Sequence, residues 1–193
     1  MRPFLDKAMP EAWQAAQAYS TAITEAASAR GLHKVEMEFI KVRASQLNGC
    51  AFCLDLHSRQ ARAAGITQQK LDLLPAWRES DLYTERETAV LAIAEAATRL
   101  PLTDDGHSDL AAARAILGED GFVAAEWVAV SINAFNRISI LSEHPVRERD
   151  ENGKVIKLAA IRRHRPITRR DAPSTFRSQN VTRSCRLGIE HEV

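Results

Sequence analysis

Apolar residues recur along this chain at three- and four-residue intervals, the period of a helix that buries one face. No run of alternating apolar and polar residues is long enough to require a strand. Pro10 suits a first helical turn and Gly31 a stop, which frames a helix rich in Ala, Gln and Glu. A second helix is predicted from His33 to about Leu47, with Val35, Phe39, Val42 and Ala44 or Leu47 on its apolar side. Asn48-Gly49 breaks it, and a third runs from about Cys50 to Gly65. Thr67 caps a short fourth helix through Leu74, which Pro75 ends. Thr84 and Glu87 form a capping box that opens a helix through Arg99. A turn at Asp104 to Gly106 leads into a helix over about Ser108 to Leu117, and Gly118 and Gly121 mark the next break. The last helix, about Phe122 to Ser142, is apolar nearly all round, which predicts burial in the centre of the domain or in a subunit contact. Pro145 closes the body. The expected fold is all-α, with a helical domain over 1–145 and a tail over 146–193.

Charge sharpens that division. The chain of 193 residues has a net charge of +1, but the segment from Val146 holds 12 Lys/Arg against 6 Asp/Glu. The body is therefore mildly acidic and the tail basic. Periodicity fades in the tail, so it is expected to be mostly disordered. Its arginines, among them Arg162, Arg163, Arg165, Arg169 and Arg170, are read as solvated rather than as a nucleic-acid contact, because no aromatic residues interleave them. No stretch approaches the roughly 18 apolar residues of a membrane span, and Met1 to Lys7 lacks the apolar core of a secretion signal. The expected location is cytoplasmic. In a reducing compartment a close cysteine pair is reactive or metal-binding rather than a structural crosslink. Cys185 stands alone in the tail.

That close pair is Cys50 and Cys53, with His57 following. On a helix, offsets of three and seven residues place all three side chains on one stripe about 60° wide. Two thiols in reach of each other beside a proton acceptor are the equipment for thiol redox chemistry. Haem attachment needs a histidine directly after the second cysteine, and Leu54 stands there. Zinc needs four ligands, so Glu38 or His107 would have to join, and the stripe itself rises about 10.5 Å. A relay fits better. Cys50 at the helix start feels the positive end of the dipole, whereas Cys53 has His57 one turn away to take its proton. These two arguments favour different cysteines as the attacking thiol.

The spacing Glu38, eleven residues, Cys50-x-x-Cys53, three residues, His57, with Asn48-Gly49 in front, resembles the core of the carboxymuconolactone decarboxylase-like superfamily. Within it the pattern is most similar to the alkylhydroperoxidase AhpD-like branch, since true decarboxylases generally lack the cysteine pair. The resemblance implies a compact helical bundle that assembles as a homo-trimer or hexamer. It implies that Cys53 attacks the peroxide, Cys50 resolves, His57 accepts the proton, and Glu38 orients or drains His57. Only the family register selects Glu38 over the nearby Glu36. One departure is Phe52, where the best-studied pattern has a second histidine, which shortens the relay.

The function expected is thus a thiol-dependent peroxidase with a hydroperoxide substrate and an external dithiol reductant, a lipoyl group or a thioredoxin-like protein. No metal, flavin or haem is required. The alternative is a redox-responsive binding subunit without turnover, contacting its partner through the basic tail. Trp127, Asn133, Asn136 and Arg137 interrupt the last apolar helix and are read as hydrogen-bonding groups across a subunit contact, or else as a substrate channel. Trp77 and Tyr83 are read as packing residues.

Overall fold

Capping and backbone chemistry cut the described residues into seven α-helices and one 3-10 turn, with no β-strand among them. The structure is a computed structural model describing residues 3–150 and 153–156. The helices are α1 (Leu5–Ala8), α2 (Pro10–Ala29), α3 (Lys34–Asn48), α4 (Ala51–Ala63), α5 (Gln68–Leu73), α6 (Glu85–Thr98) and α7 (Asp104–Leu141), with the 3-10 turn at Leu74–Glu79 between α5 and α6. The chain divides into a helical unit through Arg147 and a second unit from Glu148. In the second, one antiparallel bridge pairs Arg149 with Val155. The expected disorder of the tail, its arginine cluster and Cys185 lie outside the described residues.

The predicted caps act as the sequence suggests. Thr84 Oγ1 accepts from the Glu87 N–H at 3.2 Å, while the Glu87 carboxylate accepts from the Thr84 N–H at 2.8 Å. Thr67 caps α5 through the Lys70 N–H at 3.3 Å. The two helices expected on either side of Gly118 form one element with a break there. Gly118 holds φ +71°, a value that suits glycine, whereas Gly121 continues the helix. Helix α1 was not foreseen. Its four residues have no side-chain cap, and its Leu5 N–H donates instead to Ser142 Oγ, 3.0 Å away at the far end of the body.

Helices α3, α6 and α7 enclose the core, built from Phe39, Ile40, Val42, Val90, Leu91, Ile93, Ala125, Val128, Ala129 and Ile132. Trp77 and Tyr83 belong to it, as expected of packing residues. The second half of α7 is buried on one face only. Ala124, Val128 and Ile132 face the core, while Val123, Trp127, Val130, Ile140 and Leu141 are exposed. Central burial therefore describes half of that helix. Among the described residues no helix is long and apolar enough to cross a membrane.

Buried charge ties the core helices together. Arg43 of α3 donates through Nε to Glu95 Oε1 of α6 at 2.8 Å, and Trp77 Nε1 donates to the same oxygen at 3.0 Å. Arg78 reaches Glu95 Oε2 at 3.1 Å. Burial works against the Glu95 charge, but the hydrogen bonds from Trp77 and Arg43 outweigh it and hold the carboxyl below its usual range. Replacing one partner of such a pair leaves a buried charge uncompensated. Glu95→Gln is expected to lower unfolding stability by about 3 kcal/mol, measured by urea denaturation. An unchanged midpoint would show that Arg43 finds another counter-charge.

Candidate functional site: a buried dithiol on the wall of a cavity

A single glycine sets the position of the first thiol. Gly49 ends α3 with φ +66°. Its N–H donates to Gln46 O at 3.1 Å, and the Cys50 N–H donates to Ser45 O at 3.0 Å, the double bond pattern of a Schellman motif. Cys50 then caps the next helix with an extended backbone (φ −84°, ψ 92°), and the Cys53 N–H donates to its Sγ at 3.4 Å. Cys50 is therefore a cap residue outside the helical stripe that the sequence predicts. The thiols still meet, because the cap geometry turns Sγ back over the first turn of α4.

Both cysteines are free and buried, at 1% and 3% exposure, but their surroundings differ. Cys53 lines a cavity of about 500 Å³ and Cys50 does not. The two thiols hydrogen-bond to each other. That bond is the main reason the Cys53 thiol is pulled down to about 6; burial opposes it, and Ser139, Asn136 and the positive field of His57 assist. The Cys50 thiol moves up, because it keeps the shared proton and is itself buried. The two shifts run against the dipole argument for a Cys50 thiolate, since Cys53 is drawn down while Cys50 is held up.

His57, one turn further along α4, lines the same cavity. Its Nδ1 lies 3.1 Å from Glu38 Oε2, and Lys41 Nζ donates to Glu38 Oε1 at 2.9 Å. Burial opposes the Glu38 charge, yet the His57 hydrogen bond and the Lys41 charge keep the carboxyl below its ordinary value. With that carboxylate accepting, Nδ1 carries the ring proton and Nε2 is left as the basic nitrogen. Glu36 goes elsewhere. It accepts from the His33 N–H at 2.7 Å and from Arg86 Nε at 2.6 Å, so of the two glutamates it is Glu38 that meets His57.

The structure thus brings Glu38, Cys50, Cys53 and His57 together, and leaves His107 exposed in the first turn of α7. Among the described residues no three His, Cys, Asp or Glu side chains gather as a metal site. The polar residues of the last helix need correction. Asn48 Nδ2 donates to Asn133 Oδ1 at 2.8 Å and to Asn136 Oδ1 at 2.9 Å, and Asn136 Nδ2 donates to Ser45 Oγ at 3.0 Å. These are bonds within the chain, and neither asparagine lines the cavity. They clamp the α3–α4 junction onto α7. Arg137 donates to the Asn133 carbonyl at 2.7 Å, and Trp127 lies exposed against Tyr19. Sequence reasoning missed Ser139, which touches both thiols, and the wall that α2 supplies through Trp13, Ser20 and Ile23.

Removing the Cys50 donor tests this electrostatic picture. A hydrogen bond to a charged group is worth about 1.5–3 kcal/mol, and 1.36 kcal/mol corresponds to about one pH unit. In Cys50→Ala the pH midpoint of Cys53 alkylation by iodoacetamide is expected to rise by about one to two pH units. An unmoved midpoint would mean that another group ionises Cys53.

The Carboxymuconolactone decarboxylase family model matches residues 10–96. The uncharacterized protein YdfG of Bacillus subtilis is 38% identical over 109 residues, covering 56% of this chain and 74% of that protein. The uncharacterized protein YnjA of Escherichia coli is 32% identical over 74 residues, 38% of this chain and 41% of that protein. Among solved structures, ATU0492 of Agrobacterium tumefaciens, a protein of unknown function named as a candidate antioxidant defence protein AhpD, superposes with a TM-score of 0.63. It is 35% identical and covers 75% of this chain and 98% of its own. With the dithiol and its helical frame in view, these matches assign the chain to the carboxymuconolactone decarboxylase family, in its AhpD-like group.

Proposed function

We propose that the protein is a thiol-dependent peroxidase of the alkylhydroperoxidase type. The observation that carries this reading is the asymmetry of the dithiol: the cavity-lining Cys53 is ionised by the hydrogen bond of a hidden Cys50. The antioxidant role suggested for the solved relative agrees with it.

His57 Nε2 takes the Cys53 proton, with Glu38 holding the ring. The Cys53 thiolate attacks the outer oxygen of a hydroperoxide. The S–O bond forms as the O–O bond breaks, giving a sulfenic acid and an alkoxide that is protonated to the alcohol. The Cys50 thiol then attacks the Cys53 sulfur, expels water and closes the disulfide. An external dithiol, a lipoyl group or a thioredoxin-like protein, enters through the cavity and attacks Cys53. Its own disulfide forms as Cys50 and Cys53 return to thiols. Trp13, Ile23, Leu56, Ile132 and Phe135 make the cavity wall largely apolar, which favours organic hydroperoxides over hydrogen peroxide. The exposed apolar residues of α7 supply the surface for the homo-oligomer.

Cys53→Ser is expected to reduce turnover of cumene hydroperoxide, assayed with a dithiol reductant, to the uncatalysed rate. Cys50→Ser should oxidise once and stop as a sulfenic acid. Wild-type rates in Cys53→Ser would remove the assignment. A wild-type protein that forms the disulfide but never cycles with any dithiol would favour the regulatory reading.

A further inference from the structure

A second imidazole faces the same cavity. His144, just beyond the end of α7, lines it together with Cys53, His57 and Asp6. Its Nε2 lies 3.1 Å from Asp6 Oδ1, and the two side chains are only 13% and 11% exposed. The ring sits between two phenyl groups, Phe4 at 5.1 Å edge-on and Phe52 at 5.2 Å tilted. Its backbone N–H is fixed on Ser139 O at 3.1 Å. The Leu5–Ser142 bond ties α1 to this same corner, so Asp6 is delivered by an anchored turn.

Three features point to chemistry rather than packing. First, Phe52 precedes Cys53 in the chain, so the ring supporting His144 adjoins the attacking residue. Second, burial opposes the Asp6 charge, but the His144 and Lys7 hydrogen bonds outweigh it and keep the carboxyl below its usual range. An ionised Asp6 accepts from Nε2–H, which leaves Nδ1 as the nitrogen that can take or give a second proton. Third, that Nδ1 is buried and has no hydrogen-bond partner. A buried polar atom without a partner is rare, and a ligand atom reaching it from the cavity that His144 lines would complete it. The other charged or titratable groups on this cavity are Lys41 of α3 and Cys53 and His57 of α4; α2 and α7 contribute only neutral side chains. Lys41 is engaged by Glu38, and Lys7 lies 3.3 Å from Asp6.

We propose that His144, oriented by Asp6, is the general acid of this pocket, its Nδ1 delivering a proton to the oxygen that leaves when Cys53 attacks a hydroperoxide. The assignment rests on the peroxidase reading above. In that step the Cys53 thiolate gains the outer oxygen with its hydroxyl proton, and the O–O bond breaks. The released alkoxide takes the Nδ1 proton and departs as alcohol, leaving His144 neutral to reload from solvent. His57 and His144 then divide the work: His57 collects the thiol proton before attack and His144 supplies a proton during it. An alkoxide is a poor leaving group that needs this proton; a carboxylate is not.

Leaving-group dependence separates this role from a structural one. Rates of Cys53 oxidation would be measured by rapid quench and mass analysis in the full chain, with cumene hydroperoxide, which releases an alkoxide, and with peracetic acid, which releases acetate. His144→Gln is expected to slow the first on the order of 10²-fold and the second less than about threefold. Asp6→Asn, which keeps the ring in place, should show the same selective loss at about tenfold, and it decides the question if His144→Gln does not fold. Equal slowing with both oxidants, or no slowing while the wild type reacts, would overturn the role of His144 and leave the peroxidase reading intact. A wild-type protein inert to both oxidants would overturn the peroxidase reading and this role with it.

Discussion

The hydrogen bond between the Cys50 and Cys53 thiols is the interaction on which the proposed chemistry depends. Two buried thiols of equal standing would both stay protonated, because burial disfavours either charge. A shared proton breaks the symmetry and leaves the charge on the sulfur that the cavity exposes. The backbone makes that sharing possible at low cost. One residue, Cys50, completes the C-terminal motif of α3 and caps α4, so its sulfur is aimed by bonds the chain needs in any case.

Around this junction the fold supplies rigidity with polar groups rather than volume. Asn48, Asn133, Asn136 and Ser45 form a satisfied network between the α3–α4 corner and α7, and Asn136 extends it to Cys53. A network of this kind specifies one arrangement, since each group would be left unpaired in any other. On the opposite wall, α2 closes the cavity with Trp13 and Ile23 among the polar Gln17, Ser20, Thr21 and Thr24, and α1 brings Asp6 to His144. The pocket is therefore built from both ends of the helical unit, with imidazoles at two points on its wall.

Much of this was legible in the residues themselves. Capping chemistry at Thr67, Thr84 and Gly49 placed the helix ends to within a residue or two, because those signals act over one turn. The Cys50–His57 spacing brought out the dithiol, and the register of a known family picked Glu38 from two nearby glutamates. What escaped depends on contacts between distant segments. Asp6 and His144 lie 138 residues apart, and neither belongs to any local pattern. Helix α1 is too short to be stabilised by its own sequence and exists through its bond to Ser142. The asparagines of α7 looked like groups meant for a partner or a substrate, because spacing alone does not reveal that Asn48 and Ser45 face them. Local spacing left the choice between the two thiols open, because the dipole at Cys50 and the imidazole beside Cys53 pull in different directions and neither argument sees the bond between the sulfurs.

The most direct measurement is the oxidation state of the two sulfurs after one equivalent of cumene hydroperoxide, read by mass mapping of alkylated peptides. The account predicts an intramolecular Cys50–Cys53 disulfide, and, with dimedone present during oxidation, a sulfenic adduct confined to Cys53. An adduct on Cys50, or two thiols still free after the peroxide has been consumed, would contradict it.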